Sequence, residues 1–251
     1  MYSKIVNVVR ECGNILLNAD RNNLNTVTKK SKDDFVTTYD IKIQGKLQKE
    51  LKALMPDVIF IGEEGDVNKI TSLKSGKYFI VDPIDGTTNF VKDYHMSCIS
   101  VAYIVDGEVE FAIVYNPYLN EMFTAIKDQG AYLNNNKINV SKNLIENGLV
   151  LFGTSPYDKD LSKKSFELAY NYLQKANDLR RNGSAALDLC YIACGRAELY
   201  FELAIRLWDY AAGYLIVKEA GGIVTNIEGK DLDFINVTSI LASNGKCHDI
   251  I

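Results

Sequence analysis

The sequence has few of the residues that build imidazole-based metal sites, because its 251 residues include only two histidines, His95 and His248. That count nearly excludes a zinc or iron site rich in imidazole. The five cysteines are odd in number and irregularly spaced, which fits reduced thiols better than a disulfide framework. A metal in this chain must therefore be held mainly by carboxylates.

Long apolar runs and a strong excess of one charge are also missing. No run approaches the roughly 20 apolar residues that span a bilayer, and the first 20 residues lack the apolar core and cleavage site of a signal peptide. We therefore expect a cytoplasmic protein without a membrane partner. The 32 acidic and 28 basic residues give a net charge of −4, which argues against a dedicated nucleic-acid binder. Apolar residues make up 47% of the chain, an ordinary globular composition.

Helical and strand patterns alternate irregularly, and no internal repeat or long linker marks a domain boundary, so we expect one domain over residues 1–251. Apolar residues at helical spacing predict helices at residues 4–19, 40–54 and 160–176. A cap at Ser184 and an end at Gly195 predict a helix at 184–195, and Gly221-Gly222 end a helix predicted at 208–220. Short apolar runs predict strands at residues 58–61, 78–81, 97–105, 109–115, 121–126, 149–153, 197–203, 223–225 and 239–242. The polar stretch 21–34 indicates a loop or hairpin, and Asp106-Gly107 a tight hairpin turn. This mixture is typical of a layered α+β protein.

The most informative stretch is VDPIDGTTNF, residues 81–90. A buried strand is predicted to end there, and Asp82 and Asp85 follow at a spacing of three residues. Pro83 is expected to fix the turn between them, and Gly86 to allow a close backbone approach before a helix begins at two threonines. Carboxylates are ligands that suit Mg²⁺, and the free N–H groups of a helix start suit a phosphate. The pattern therefore predicts a site for a hard cation and an anion.

Two further acidic segments follow predicted strand or helix boundaries. Glu63 and Glu64 lie between two glycines after a strand, and Asp209 lies in the first turn of a helix. Taken singly, each is more typical of an exposed turn or of a helix-dipole partner. Three such acidic ends in one chain favour a shared cation site.

The chain resembles the inositol monophosphatase family, within the lithium-sensitive, magnesium-dependent phosphatase superfamily, over nearly its whole length. The motifs that carry the resemblance are VTTYD at 36–40, IGEE at 61–64, VDPIDGTTNF at 81–90, RNGSAALD at 181–188 and WDYAAGYLIVKEAGG from residue 208. The resemblance implies the layered αβαβα sandwich of the inositol monophosphatase and fructose-1,6-bisphosphatase type. It also implies a homodimer, sensitivity to Li⁺ and no organic cofactor.

The resemblance further implies a role for each motif residue. Two or three Mg²⁺ ions would be held by four acidic side chains and one carbonyl group: Glu63, Asp82, Asp85, Asp209 and the carbonyl of Ile84. Catalysis would involve the attacking water and three side chains: Thr87, Asp40 and Glu63. The phosphate would lie against the backbone of Gly86 and Thr87. The rest of the substrate would contact four residues: Gly183, Ser184, Ala185 and Glu202.

The function that follows is Mg²⁺-dependent hydrolysis of a small phosphate monoester, with inositol monophosphate as the leading substrate. Fructose-1,6-bisphosphatase and 3′-phosphoadenosine 5′-phosphate phosphatase remain open, because these branches share the metal chemistry. The nucleotide branch resembles DPLDGT followed by lysine, whereas Thr88 stands here, which favours the inositol branch. A non-enzymatic interaction protein of the same fold is the third alternative.

Overall fold

Two mixed β-sheets and three layers of helices alternate in an αβαβα arrangement, as the resemblance implies. The computed structural model describes residues 1–20, 24, 27–31, 34–65, 72–156, 158–234 and 237–248. The helices are α1 (Tyr2–Leu17), α2 (Thr38–Leu54), α3 (Thr87–Val91), α4 (Lys159–Leu173), α5 (Ala185–Ala193) and α6 (Leu207–Glu219). The strands are β1 (Val27–Ser31), β2 (Asp34–Val36), β3 (Ile59–Gly62), β4 (Lys77–Asp85), β5 (Cys98–Val105), β6 (Glu108–Asn116), β7 (Glu121–Ile126), β8 (Gly130–Leu133), β9 (Asn136–Ile138), β10 (Leu149–Phe152), β11 (Asp178–Arg180), β12 (Leu199–Ile205), β13 (Ile223–Thr225) and β14 (Thr238–Ser243).

Strand order differs between the two large sheets. The seven-stranded sheet runs in sequence order from β3 to β9, with β3 and β4 parallel and the other neighbours antiparallel. The five-stranded sheet has the order β11-β10-β12-β14-β13, in which β10 is parallel to both of its neighbours. Strands β1 and β2 form a separate hairpin.

The helices cover the sheets according to which of their faces are apolar. Helices α1 and α2 bury one apolar stripe each on the outer face of the seven-stranded sheet. Helix α4 covers the outer face of the five-stranded sheet, where Tyr172 stacks on Phe201 at 5.4 Å between ring centroids. Helices α5 and α6 lie between the two sheets and are apolar around most of their circumference, which is the pattern of a fully buried helix.

Most of the predicted elements are confirmed. All five predicted helices are present, and their ends lie within three residues of the predicted ones. Asp106 and Gly107 both have positive φ, 50° and 89°, as a two-residue hairpin turn between β5 and β6 requires. Among the described residues, no helix is long and apolar enough to cross a membrane. Of the predicted loop or hairpin at 21–34, residues 21–23, 25–26 and 32–33 lie outside the described residues.

Three short strands and one helix face differ from the prediction. Strands β8, β9 and β11 were not predicted, because they are only three or four residues long and because β9 and β11 are also mostly polar. On α4 the apolar spacing that predicts a helix at 160–176 places Phe166 and Leu173 on the apolar face, but these side chains are 58% and 43% exposed. The helix instead buries Ala169 and Tyr172, together with Ser165.

Candidate functional site

Strand β4 carries two acidic residues through an irregular register. Asp82 lies opposite Ser100 and Asp85 opposite Cys98, so three steps along β4 match two steps along β5. The prediction that the strand ends before Asp82 is therefore wrong, because β4 continues to Asp85 through a bulge. Pro83 lies inside this bulge rather than in a turn, a position where a missing N–H costs no ladder hydrogen bond.

Gly86 allows the backbone to turn from β4 into α3. Its φ is +85°, and a Cβ atom there would lie 2.9 Å from the carbonyl oxygen of Met96. Both the conformation and the space therefore require glycine. Helix α3 begins at the next residue, Thr87.

Asp40 reaches the site through Thr87. Asp40 is fully buried at the third position of α2, and its Oδ2 accepts hydrogen bonds from the Thr37 backbone N–H and hydroxyl, at 2.7 and 2.5 Å. The Thr87 hydroxyl lies 3.4 Å from Asp40 Oδ1 and 3.1 Å from the carbonyl oxygen of Ile84. Its single proton can be donated to one of these two acceptors at a time.

The turn that bears Glu63 is held by a side chain from α2. Gln44 donates from Nε2 to the carbonyl of Glu64 at 2.7 Å, and its Oε1 accepts from the N–H of Glu64 at 2.9 Å. A Cβ atom on Gly62 would lie 2.1 Å from Gln44 Oε1, so glycine is needed for this approach. Gln44 therefore fixes the backbone next to Glu63.

The remaining acidic residues are anchored by local donors. Asp85 Oδ2 accepts from the Ser184 hydroxyl at 2.6 Å and from the Ala186 N–H at 2.7 Å. Asp209 Oδ2 accepts from the N–H of Arg206 at 3.0 Å, at the start of α6. Ser184 caps α5, as predicted: its hydroxyl oxygen accepts from the Leu187 N–H at 3.4 Å, while its proton is donated to Asp85.

The acidic side chains of the site repel one another. Burial raises the pKa of Asp82 well above its usual range, and the neighbouring carboxylates Glu63 and Asp85 raise it further. Burial likewise raises the pKa of Asp209 well above its usual range, again reinforced by Asp85 and Glu63. Burial also raises the pKa of Asp85, against the opposing hydrogen bond from Ser184. Without a cation, the charged form of these buried acids is therefore disfavoured.

This charge distribution fits an oxygen-binding cation. In the part of the chain that the structure describes, no group of three or more His, Cys, Asp and Glu side chains is already arranged to hold a metal ion. The described hydrogen bonds engage one oxygen each of Asp82, Asp85 and Asp209. The groups that could coordinate a metal ion here all present oxygen atoms, which are the ligands that Mg²⁺ prefers.

A cavity of about 380 Å³ brings the predicted residues together. All but one of the predicted site residues line it: Glu63, Asp82, Ile84, Asp85, Gly86, Thr87, Gly183, Ser184, Ala185, Glu202 and Asp209. The exception is Asp40, which lies behind Thr87. Glu202 accepts from the Tyr200 hydroxyl at 2.7 Å and from the Ser155 N–H at 3.2 Å.

Several lining residues were not predicted as site residues. They are Thr88, Phe152, Gly153, Pro156, Asp188 and Tyr200, together with Arg181, for which the sequence favoured no role. Two signals pointed to Asp188: it ends the RNGSAALD motif, and it is an acidic residue inside the otherwise apolar helix α5. Gly153 is required because a Cβ atom there would lie 2.1 Å from the carboxyl carbon of Glu202.

Replacing Gln44, whose side chain holds the backbone at Glu64, tests how Glu63 is positioned. We expect Gln44→Ala to raise the Mg²⁺ concentration needed for half-maximal thermal stabilisation by about tenfold, the lower end for groups that orient metal ligands. Gln48→Ala, an exposed residue one turn along α2, is the matched control and should leave the Mg²⁺ titration unchanged. Equal Mg²⁺ midpoints for the two variants would show that Gln44 does not position Glu63.

Comparison with known proteins gives consistent matches. The model of the inositol monophosphatase family matches residues 1–251. The Nus factor SuhB of Xylella fastidiosa is 40% identical over 230 residues, covering 90% of this chain and 82% of that protein. The solved structure of Thermotoga maritima IMPase is 32% identical, with a TM-score of 0.84 over 96% of this chain and 91% of that one. An IMPase/NADP phosphatase complexed with Mg²⁺ and phosphate is 25% identical, with a TM-score of 0.84 over 95% and 88% of the two chains.

Proposed function

The chain belongs to the inositol monophosphatase family, and we propose that it hydrolyses small phosphate monoesters with Mg²⁺, inositol monophosphate above all. The observation that carries the proposal is the single cavity that joins four carboxylates to the turn at Gly86 and Thr87. The acids would hold cations at one side of this cavity, and the turn would receive the phosphate.

Mg²⁺ has a place in this proposal because the residues present fit it. Glu63, Asp82, Asp85, Asp209 and the carbonyl of Ile84 would hold two or three ions. When bound, Mg²⁺ neutralises charge on the phosphoryl group and lowers the pKa of a coordinated water. The family precedent is the IMPase/NADP phosphatase complexed with Mg²⁺ and phosphate.

Thr87 and Asp40 would orient the attacking water and accept its proton. The Thr37 donors occupy Asp40 Oδ2, which leaves Oδ1 turned to the Thr87 hydroxyl at 3.4 Å. In that role the Thr87 hydroxyl accepts a hydrogen bond from the water and donates one to Asp40 Oδ1. As the water attacks, its proton would pass to Thr87 Oγ1 while the Thr87 proton passes to Asp40. Catalytic hydrogen bonds of this length commonly tighten when substrate binds.

A covalent phosphoenzyme on the nearby cysteine is disfavoured. Cys98 Sγ lies 3.8 Å from Asp85 Oδ2, and burial raises the pKa of its thiol well above the usual range. A thiol that stays protonated is a poor nucleophile. Direct attack by water is the reaction that the remaining groups support.

The proton role of Thr87 predicts a contrast between two substitutions. We expect Thr87→Val, which keeps the shape and loses the hydroxyl, to lower kcat by about 10² to 10⁴-fold. Thr87→Ser keeps the hydroxyl and should stay within about tenfold of the wild type. Steady-state phosphate release measures both, and a Val variant as active as the Ser variant would remove Thr87 from the mechanism.

The substrate preference is tested by comparing three phosphates under one condition with Mg²⁺. We expect the highest kcat/KM for inositol 1-phosphate, and lower values for fructose 1,6-bisphosphate and 3′-phosphoadenosine 5′-phosphate. A preference for either of the last two would keep the metal chemistry and change the substrate. No release from any of the three would count against the enzymatic proposal.

A second candidate function follows from the name of a relative. The Xylella fastidiosa protein is named a Nus factor, so a partner-binding role of that kind is a candidate beside or instead of catalysis. The two functions are separated by testing whether a metal-site variant without phosphatase activity can replace the wild-type protein in cells. If partner binding alone matters, that variant would still replace it. Homodimer formation, Li⁺ inhibition and a cytoplasmic location remain predictions.

A further inference from the structure

One buried acid in the cavity has no part in the proposed chemistry. Asp188, in α5, is 2% exposed and still lines the cavity, beside Glu202 and Arg181. Its Oδ1 accepts a hydrogen bond from Asn182 Nδ2 at 2.6 Å. No hydrogen bond from the described residues reaches its other oxygen, Oδ2. A buried carboxylate oxygen at a cavity wall is free to bind a group that enters the cavity.

A chain of amide hydrogen bonds fixes the position of Asp188 relative to the phosphate end. Asn89, in α3, donates from Nδ2 to the carbonyl of Asn182 at 2.8 Å and to that of Met96 at 2.7 Å. Asn182 in turn donates to Asp188. The phosphate-binding turn and the Asp188 wall are therefore parts of one hydrogen-bonded frame.

The charges on this wall indicate what it can bind. Two acids, Asp188 and Glu202, face one exposed cation, Arg181, which donates to the Thr154 hydroxyl at 3.3 Å. Burial raises the pKa of both acids; a carboxyl group in either protonation state can hydrogen-bond a hydroxyl, whereas neither acid can neutralise a second phosphate. The wall therefore suits a neutral substrate group that carries several hydroxyls.

We propose that Asp188 is a specificity-determining residue whose Oδ2 accepts a hydrogen bond from a substrate hydroxyl, next to the hydroxyl bound by Glu202. The pair would select polyol monophosphates and disfavour bisphosphates. This inference rests on the proposed function. It adds a contact that would recognise the leaving group, which is the alcohol part of the substrate. The alternative is that Asp188 only holds the loop at Asn182.

Asp188→Asn separates the two roles, because its side-chain oxygen can still accept from Asn182 while an amide donor replaces Oδ2. We expect the ratio of kcat/KM for inositol 1-phosphate to that for phenyl phosphate, which has no hydroxyls, to fall about tenfold or more. The ratio of kcat/KM for fructose 1,6-bisphosphate to that for inositol 1-phosphate should rise. A purely structural role would lower all activities together and leave both ratios unchanged, which would overturn the inference.

Deoxy analogues of inositol 1-phosphate give a second test on the wild-type enzyme, should the variant not fold. Two hydroxyls should matter, one that binds Glu202 and one that binds Asp188. We expect the loss of either hydroxyl to lower kcat/KM by about tenfold. A penalty at one position or at none would overturn the inference, and so would a wild-type preference for fructose 1,6-bisphosphate. If the wild type hydrolyses none of these phosphates, the proposed function fails instead.

Discussion

Replacing Asp82 with asparagine is expected to lower phosphate release by about 10³-fold or more, since a metal ion contributes several kcal/mol of transition-state stabilisation. The same change should stabilise the Mg²⁺-free protein at neutral pH. Asp82 is 2% exposed, and burial together with Glu63 and Asp85 raises its pKa well above the usual range. Removing this charge should raise the free energy of unfolding by about 1 kcal/mol or more, because one pKa unit corresponds to about 1.4 kcal/mol.

The opposite signs of the two effects make the Asp82 prediction specific. Phosphate-release kinetics and denaturant unfolding in the presence of a chelator measure them. Asp57→Asn, at an exposed acid, is the control and should change neither quantity. An Asp82→Asn variant that is inactive and also less stable without Mg²⁺ would indicate a structural carboxylate rather than a metal ligand.

Mg²⁺ is expected to stabilise the protein, and more so at neutral than at acidic pH. Because burial raises the pKa of Asp82 and Asp209 in the folded state, these two groups contribute most to the stability of the metal-free protein below the usual carboxyl pKa. The protein loses this stability as pH rises through the raised values. Mg²⁺ at about 100 times its Kd restores about 2.7 kcal/mol, or about 5–10 °C in Tm for a chain of this size.

Protons compete with the cation for the same oxygens, so the Mg²⁺-induced rise in Tm should shrink between about pH 7.5 and about pH 5. Thermal melts with MgCl₂, and with NaCl at matched ionic strength, measure the specific part. The Asp82→Asn variant should show little of it at either pH. A rise in Tm that NaCl reproduces, or that is equal at the two pH values, would contradict a buried carboxylate site for Mg²⁺.

The sequence predicts the layered fold and the set of acidic residues because both depend on local patterns. Helices α1 and α2 have clear apolar spacing, α5 and α6 have a capping serine or terminal glycines at their ends, and the motif around Asp82 combines residue types that together indicate a cation and an anion. Most of the predicted site residues line one cavity, while their roles in the site and the division into one domain stay predictions.

The missed features depend on contacts between segments far apart in the sequence. Gln44 holds Glu64 across 20 residues, and Asn89 holds Asn182 across 93. Asp188 ends the RNGSAALD motif, but no role was assigned to it, because one acid in an apolar helix has no spacing partner that indicates a chemistry. The bulge at Pro83 was missed for another reason. The apolar run in the sequence ends at Val81, whereas the strand continues to Asp85 with buried acidic residues.

The most direct test of the account is phosphate release from inositol 1-phosphate by wild-type and Asp82→Asn protein, each with Mg²⁺ and with a chelator. We predict turnover for the wild type with Mg²⁺ alone, and nearly none in the other three conditions. Turnover that persists in the chelator, or in the Asp82→Asn variant with Mg²⁺, would contradict the claim that the buried carboxylates hold the ion required for hydrolysis.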